Sequence, residues 1–495
     1  MKAILRYLKD MDFVSKLFIM LGVILLVPLL MLIPYPEDVV YAEHFIWPAL
    51  FSMAFGLLFR SKKPNPDKFK FFGRSHESVV VVGIWLYGFL LGAMPFFLWG
   101  QVDFVGALFE AVSGWTTTGL SVLELEKVPH ILMFYRGFMQ FCGGLGFVLL
   151  MLIFAGGSSA MELFSAEGHP DKLEPNLRST AKTMILIYVG FNIFGVAAYI
   201  LAGMPWFDSV FHTMAALSTG GFAMTPASLA AYDSVLIEAI TIFLMVVGTT
   251  NFGILALLAK RKFKKVRRIG EVGFMGVLLI GFSLVAAAAG ISGLYTNFGE
   301  SFRIALFQIV SGLSTTGFST IDFTTWHPNM LLLVTLSMII GGGAGSTAGG
   351  MKFTRVYAMY KNAIFGLKKR FMPERTVNEG HIYNADGKVY LSNRYMEEIG
   401  RFAFVYMTLY FLGVLLLTFA GVPLDKAMFE FASSLGTVGL SIGVTVPGTS
   451  HFILWVEMIG MMLGRLEIFI VLVSIIALIK KGVNFITGEE KNFYS

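Results

Sequence analysis

The sequence predicts an all-α polytopic membrane protein: an N-terminal two-helix hairpin, then four pseudo-repeats of span, half-helix, loop and span around a central pore. Three observations predict it. Apolar residues make up 56% of the 495-residue chain and charged residues only 14%, more apolar surface than a soluble domain can bury. Ten segments are long and apolar enough to cross a bilayer, which takes about 20 residues each. A short string rich in hydroxyls and glycine recurs four times in register with that hydropathy pattern.

The spans fall at about 16–34, 43–60, 77–99, 130–155, 181–203, 234–259, 271–293, 328–366 (interrupted), 399–421 and 451–480. Four apolar segments near 103–114, 206–217, 299–313 and 425–435 are too short to cross, so they are re-entrant or interfacial half-helices. Lys2, Arg6 and Lys9 precede the first span and no small-residue cleavage site follows it, so it reads as a retained helix. A single cysteine, Cys142, excludes a disulfide framework.

Lysine and arginine set the orientation. Arg60–Arg74 carries six, Lys260–Arg268 seven and the polar insertion at 352–401 ten, whereas 35–43 and 204–232 carry none and 294–327 only Arg303. With ten spans the alternation is consistent, and both termini are cytoplasmic. The net charge of +6 is therefore a topology signal and not a nucleic-acid surface. The same basic faces are candidate docking surfaces for a cytosolic partner. The acidic outer segment at Glu37, Asp38 and Glu43 reads as a solvated loop.

The four recurring strings align Gly119, Gly221, Gly317 and Gly439 in one column, with intervals of 102, 96 and 122 residues. Thr117-Thr118, Thr219-Gly220, Thr315-Thr316 and Thr437-Val438 precede them. Each string follows a half-helix and lies between two spans. Extended backbone inside a bilayer is tolerated only where protein or a water-filled path surrounds it. Four such loops on one axis would present rings of carbonyl oxygens, which replace the hydration shell of a cation such as potassium. Glycine supplies the positive φ this needs, and the C-terminal ends of the half-helices favour a cation.

The eighth span is interrupted by Gly341, Gly342, Gly343, Ala344, Gly345, Ser346, Thr347, Ala348, Gly349 and Gly350. Six glycines there cost on the order of 5–6 kcal/mol in a helix relative to alanine. The segment is expected to be non-helical, to lie on the cytoplasmic side of the third loop, and to act as a movable gate; the competing reading is close helix packing through small residues. Lys352 and Arg355 read as inner-face anchors. Arg465 sits near the middle of the last span, where a charge costs ~2.5–3.5 kcal/mol, so it faces a wet interior or a partner on another span. Glu110 and Glu430, within half-helices, either attract cations to the outer mouth or satisfy backbone donors of the loops. Arg136, Gln140 and Asn251 either line the vestibule or bond between helices.

On the four glycine strings and their flanking spans, residues 70–485 resemble the Trk/Ktr/HKT superfamily of potassium translocating subunits, and the extra hairpin at 16–60 resembles its TrkH/TrkG branch. The resemblance implies M1-P-M2 repeats, a potassium path on the pseudo-fourfold axis, a homodimer, and a cytosolic nucleotide-binding RCK partner like TrkA. It implies residence in the bacterial inner membrane, an intramembrane gate in the third repeat and a pore-facing arginine at 465. Serine at the first loop glycine goes with sodium transport in that superfamily; Gly119 therefore favours potassium. The second loop departs at Gly220 and the fourth at Val438.

The expected organisation is a hairpin and basic loop over 1–69, repeats over 70–160, 161–268, 269–370 and 396–495, and a cytoplasmic insertion at 371–395. An enzyme is not expected: of eight histidines only His212 falls in buried sequence, and neither a HExxH zinc pattern nor a phosphate-binding loop occurs. No organic cofactor is expected in this chain, potassium being the transported ion. A sodium-coupled or weakly selective cation transporter of the same fold is the alternative.

Overall fold

The computed structural model describes residues 13–58, 76–146, 177–291, 294–371, 380–385 and 387–487. The basic segment at 60–74, the expected end of the fourth span beyond 146 and most of the link into the second repeat lie outside these residues. About 74% of the structure is helical. Among the described residues five helices are long and apolar enough to cross a membrane, and two sharply bent helix pairs qualify as broken spans.

The hairpin is formed by α1 (Phe13–Leu26) and α2 (Glu43–Leu58). Ser52 ties it together and onto the next helix, donating to the Phe18 carbonyl at 2.7 Å and accepting from the Tyr87 hydroxyl at 2.9 Å. Asp38 is not a solvated loop residue as read from sequence. It is buried, and its carboxylate accepts from the Ile131 amide at 2.8 Å, at the start of the second helix of repeat 1.

The segment expected as repeat 1 holds α3 (His76–Trp99), α4 (Phe104–Trp115) and α5 (His130–Leu145). That expected as repeat 2 holds α6 (Leu177–Leu201), α7 (Trp206–Leu217), α8 (Val235–Thr249) and α9 (Phe252–Ala259). That expected as repeat 3 holds α10 (Gly270–Ile291), α11 (Phe298–Ser314), α12 (Pro328–Ile340) and α13 (Phe353–Lys369). After the hairpin strands β1 (His381–Asn384) and β2 (Gly387–Tyr390) come α14 (Asn393–Phe419), α15 (Leu424–Gly436), α16 (His451–Arg465) and α17 (Ile468–Thr487).

The half-helices α4, α7, α11 and α15 begin where the sequence supplies a cap or a proline. Asp103 and Asn297 accept from the amides of Gly106 and Gly299, and Pro205 and Pro423 precede the other two. All four are almost wholly buried past their first turn.

Two features differ from the sequence reading. Among the described residues the break after α12 is not the only one, since two further helices are interrupted at a comparable stage. Helix α8 turns by 109° into α9, and α16 by 108° into α17. Arg465 therefore closes a helix instead of occupying its middle. The insertion also holds a two-stranded antiparallel hairpin, pairing His381 with Tyr390 and Ile382 with Val389. Its buried Ile382 packs with Tyr357 and Ile399.

Candidate functional site

The structure brings all twelve residues of the four strings together. In each loop the threonine after the half-helix is left-handed, with φ of 55° at Thr117, 54° at Thr219, 55° at Thr315 and 49° at Thr437. The aligned glycines follow at 100°, 70°, 90° and 97°. Left-handed backbone is costly for a β-branched residue, of order 1–3 kcal/mol, so its recurrence in four loops is imposed by surrounding structure. Left-handed residues at alternate positions let successive carbonyls face one side, whereas a regular strand alternates them.

The loops close a ring. A Cβ placed on Gly119 would run into the carbonyl oxygen of Gly220, and one on Gly221 into that of Thr316. One on Gly317 would meet the Val438 carbonyl, and one on Gly439 that of Thr118. Each glycine thus abuts the next loop, in the order one to four and back to one. Only hydrogen fits at these four positions.

Each loop is pinned to its own half-helix. The amides of Thr118, Gly220, Thr316 and Val438 donate to the carbonyls of Ser113, Ala215, Ser311 and Ser433 at 2.8–3.0 Å. In three loops the serine hydroxyl also accepts from the glycine amide: Ser113 from Gly119 at 3.0 Å, Ser311 from Gly317 at 3.1 Å and Ser433 from Gly439 at 2.9 Å. The second loop has Ala215 there. Gln140 of α5 reaches it instead, donating through Nε2 to the Gly220 carbonyl at 2.5 Å and accepting from the Phe222 amide at 3.3 Å.

Glu110 and Glu430 satisfy loop donors, the second of the two roles read from sequence. Both are fully buried. Glu110 accepts from the Ser121 hydroxyl and the Val122 amide, each at 2.7 Å, and pairs with Arg136 at 3.3 Å. Arg136 stacks over Phe222 at 4.1 Å and donates to the Ala223 carbonyl, joining the first loop to the second. Glu430 accepts from Ser441 at 2.7 Å, from the amides of Ile442 and Thr445, and from the Thr445 hydroxyl. That hydroxyl also lies 2.9 Å from the buried Glu457.

Above the ring lies a cavity of about 820 Å³ that reaches all four glycines and is rimmed by Glu124, Glu126 and Asp322. Hydrogen bonds from the Thr324 amide and hydroxyl hold the Asp322 carboxyl below the usual carboxylate range, so this rim charge persists into mildly acidic solution.

On the other side of the ring sits the glycine segment. Gly341, Gly345 and Gly350 are left-handed, at φ 71°, 67° and 77°. The Gly349 amide donates to the Thr315 hydroxyl at 2.8 Å, and a Cβ on Gly349 would strike Thr437 and Gly436. Gly342 is as tightly held, its Cβ position filled by Thr249 and Ala348. Gly343 donates to the Thr249 carbonyl at 3.1 Å and receives the Ser346 hydroxyl at 2.7 Å. The Thr347 hydroxyl lies 3.1 Å from the Leu217 carbonyl, 2.9 Å from that of Gly248 and 3.2 Å from the Thr219 hydroxyl.

The interruption between α8 and α9 belongs to the same contact. Asn251 donates to the Ala344 carbonyl at 2.5 Å, and the Phe252 amide to that of Gly345 at 3.1 Å. Asn251 therefore bonds between elements, one of the two readings open from sequence. Arg465 reaches backbone: Nη1 donates to the Thr347 carbonyl at 2.7 Å, and Nη2 to those of Gly143 and Gly144. Lys352 is more than an inner-face anchor, since it is held inward on the Ala348 carbonyl. Arg355 pairs with Glu467 at 2.8 Å and stacks on Phe402.

A ring of constrained backbone thus lies between a cavity and a glycine-rich segment, inside a scaffold of long apolar helices, and the class it belongs to is that of cation transport proteins. The sequence profile of the TrkH family, described as cation transport protein, matches residues 50–288 and 292–485, and the chain belongs to that family. It is 30% identical to an uncharacterized cation transporter of Methanocaldococcus jannaschii, over 93% of this chain and 95% of that one. It is also 30% identical to the Trk system potassium uptake protein TrkH of Salmonella typhimurium, over 80% and 84% of the two chains. The crystal structure of the potassium transporter TrkH from Vibrio parahaemolyticus superposes with a TM-score of 0.80 at 26% identity, covering 94% of this chain and 98% of that one.

Proposed function

We propose that the chain takes up potassium across the cell membrane, with the four loops as its selectivity filter and residues 341–350 as its gate. The observation that carries this is the closed ring, in which every loop places the same left-handed threonine and glycine and touches the next. Backbone carbonyls in such rings match a dehydrated cation in number and dipole. Relatives named for potassium uptake support potassium as that cation.

The gate reading rests on the plug's contacts, which run to Thr219, Thr315 and Thr437 at the base of three loops. Arg465 holds the plug from below and sets a positive charge beside the path. The repeats are assigned to 70–160, 161–268, 269–370 and 396–495. A homodimer and a cytosolic nucleotide-binding partner docking on the basic inner faces complete the reading, with both termini cytoplasmic. A sodium-coupled or weakly selective transporter of the same fold is the alternative. Potassium flux into proteoliposomes, first with potassium alone and then with a sodium or proton gradient, separates the two. Flux that needs a sodium gradient contradicts the proposal.

A further inference from the structure

The second loop is built from different parts than the other three. Its half-helix offers Ala215 where the others offer Ser113, Ser311 and Ser433, so the Gly221 amide has no hydroxyl beneath it. Gly220 stands where the others have Thr118, Thr316 and Val438. In the first and third loops that threonine hydroxyl is itself braced, against Thr116 at 2.8 Å and Ser314 at 2.7 Å. The second loop lacks both braces.

Gln140 occupies the vacated space. Its side-chain amide lies where a Cβ on Gly220 would go, and it is fully buried. The partners orient it uniquely: the Gly220 carbonyl can only accept and the Phe222 amide can only donate, so Nε2 faces the first and Oε1 the second. One side chain thus spans the loop glycine Gly221. It comes from α5, the helix that follows the first loop, so one repeat shapes the filter strand of the next.

The Gly220 carbonyl is also the oxygen against which Gly119 packs. An amide donor holds it in place and draws on the electron density it could offer a cation. The ring therefore has one carbonyl of its layer held by a side-chain donor from a neighbouring helix.

We propose that Gln140 is a positioning residue that sets the second loop and, through the Gly220 carbonyl, the discrimination between potassium and sodium. This rests on the filter reading given above. It follows that Gln140, Ala215 and Gly220 form one exchangeable unit. Replacing them together by the bracing used in the first and third loops preserves selectivity, whereas replacing Gly220 alone does not.

The test is the sodium-to-potassium permeability ratio in proteoliposomes, on protein that elutes as the wild-type species. Gln140→Leu is expected to raise the ratio at least tenfold. Gln140→Glu is expected to be worse, because it sets a carboxylate oxygen against the Gly220 carbonyl. Gly220→Thr alone should abolish flux by collision with Gln140, and the combination with Ala215→Ser and Gln140→Ala should recover flux and bring the ratio within a few-fold of wild type. A ratio unchanged in Gln140→Leu, or a triple variant as inactive as Gly220→Thr, overturns the proposal. Gly119→Ser is the control. If it shifts the ratio while the Gln140 variants do not, this inference fails and the filter reading stands; if neither does, the filter reading fails as well.

Discussion

Arg465, the last residue of α16, donates to the carbonyl of Thr347 at 2.7 Å, and the hydroxyl of Thr347 lies 3.2 Å from that of Thr219 in the second loop. Three residues, distant in sequence, thus connect the glycine segment at 341–350 to the ring. Hydrogen bonds from a charged donor contribute ~1.5–3 kcal/mol each, enough to hold a glycine segment that has no helix of its own. Arg465→Gln is expected to raise basal potassium flux several-fold in protein reconstituted without any partner. Unchanged or reduced flux, measured with potassium on both sides, would show that the arginine is not a latch.

Thr347→Val keeps the volume of the side chain and removes its hydroxyl. The plug then loses its contacts to the Leu217 and Gly248 carbonyls and the Thr219 hydroxyl. We expect a smaller rise in basal flux than for Arg465→Gln, matching a cost of about 1 kcal/mol, with the potassium-to-sodium ratio unchanged because the ring itself is untouched. A changed ratio in the same assay would place Thr347 in the filter and not below it.

Arg136 and Glu110 form a fully buried pair at 3.3 Å. Breaking such a pair from one side costs about 3–5 kcal/mol, whereas replacing both partners with apolar residues can be nearly neutral. Arg136→Leu should therefore lower the thermal midpoint in detergent far more than the double change Glu110→Leu with Arg136→Leu. The double variant still loses the bonds to Ser121 and Val122, so some destabilisation remains. Equal loss in both would mean that the ion pair itself carries the stability.

Glu457 and Glu430 meet at the single hydroxyl of Thr445, at 2.9 and 2.7 Å. Among the described residues neither carboxyl has a salt bridge. One hydroxyl proton cannot serve both, so a neutral donor at 457 satisfies the group. Glu457→Gln is expected to leave the thermal midpoint within the range of a surface change, about ±0.5 kcal/mol. Glu430→Gln should be clearly destabilising, because Glu430 accepts from Ser441 and from the amides of Ile442 and Thr445, and an amide nitrogen cannot accept from them. Thermal unfolding of the two variants side by side decides this.

Much of the architecture is legible in local sequence because the governing rules are local. The half-helix expected at 206–217 is Trp206–Leu217, and that expected at 103–114 is Phe104–Trp115. Hydropathy length, a preceding cap or proline and a following hydroxyl mark the ends. The interruptions after Thr249 and Arg465 carry no such mark. They are made by partners far along the chain, namely Ala344 and Gly345 for the first and Arg355 with Glu467 for the second. Glu467 itself is left-handed, at φ 56°, which no residue preference foretells. From sequence Gln140 either lines the vestibule or bonds between helices, and its place at the second loop is illegible for the same reason: the gap it fills exists only once Ala215 and Gly220 are seen side by side. The one local clue was the departure of the second loop from the other three.

Gly119→Ser tests the four-loop ring most directly. A serine Cβ at 119 has no room beside the Gly220 carbonyl, so the ring must yield there while the rest of the fold is spared. Potassium and sodium fluxes should be measured on the wild-type chain and on this variant in the same proteoliposomes. The wild type is expected to pass potassium in clear preference to sodium, and the variant to admit sodium. Identical fluxes and identical selectivity in the two proteins would contradict this and place the ion path elsewhere.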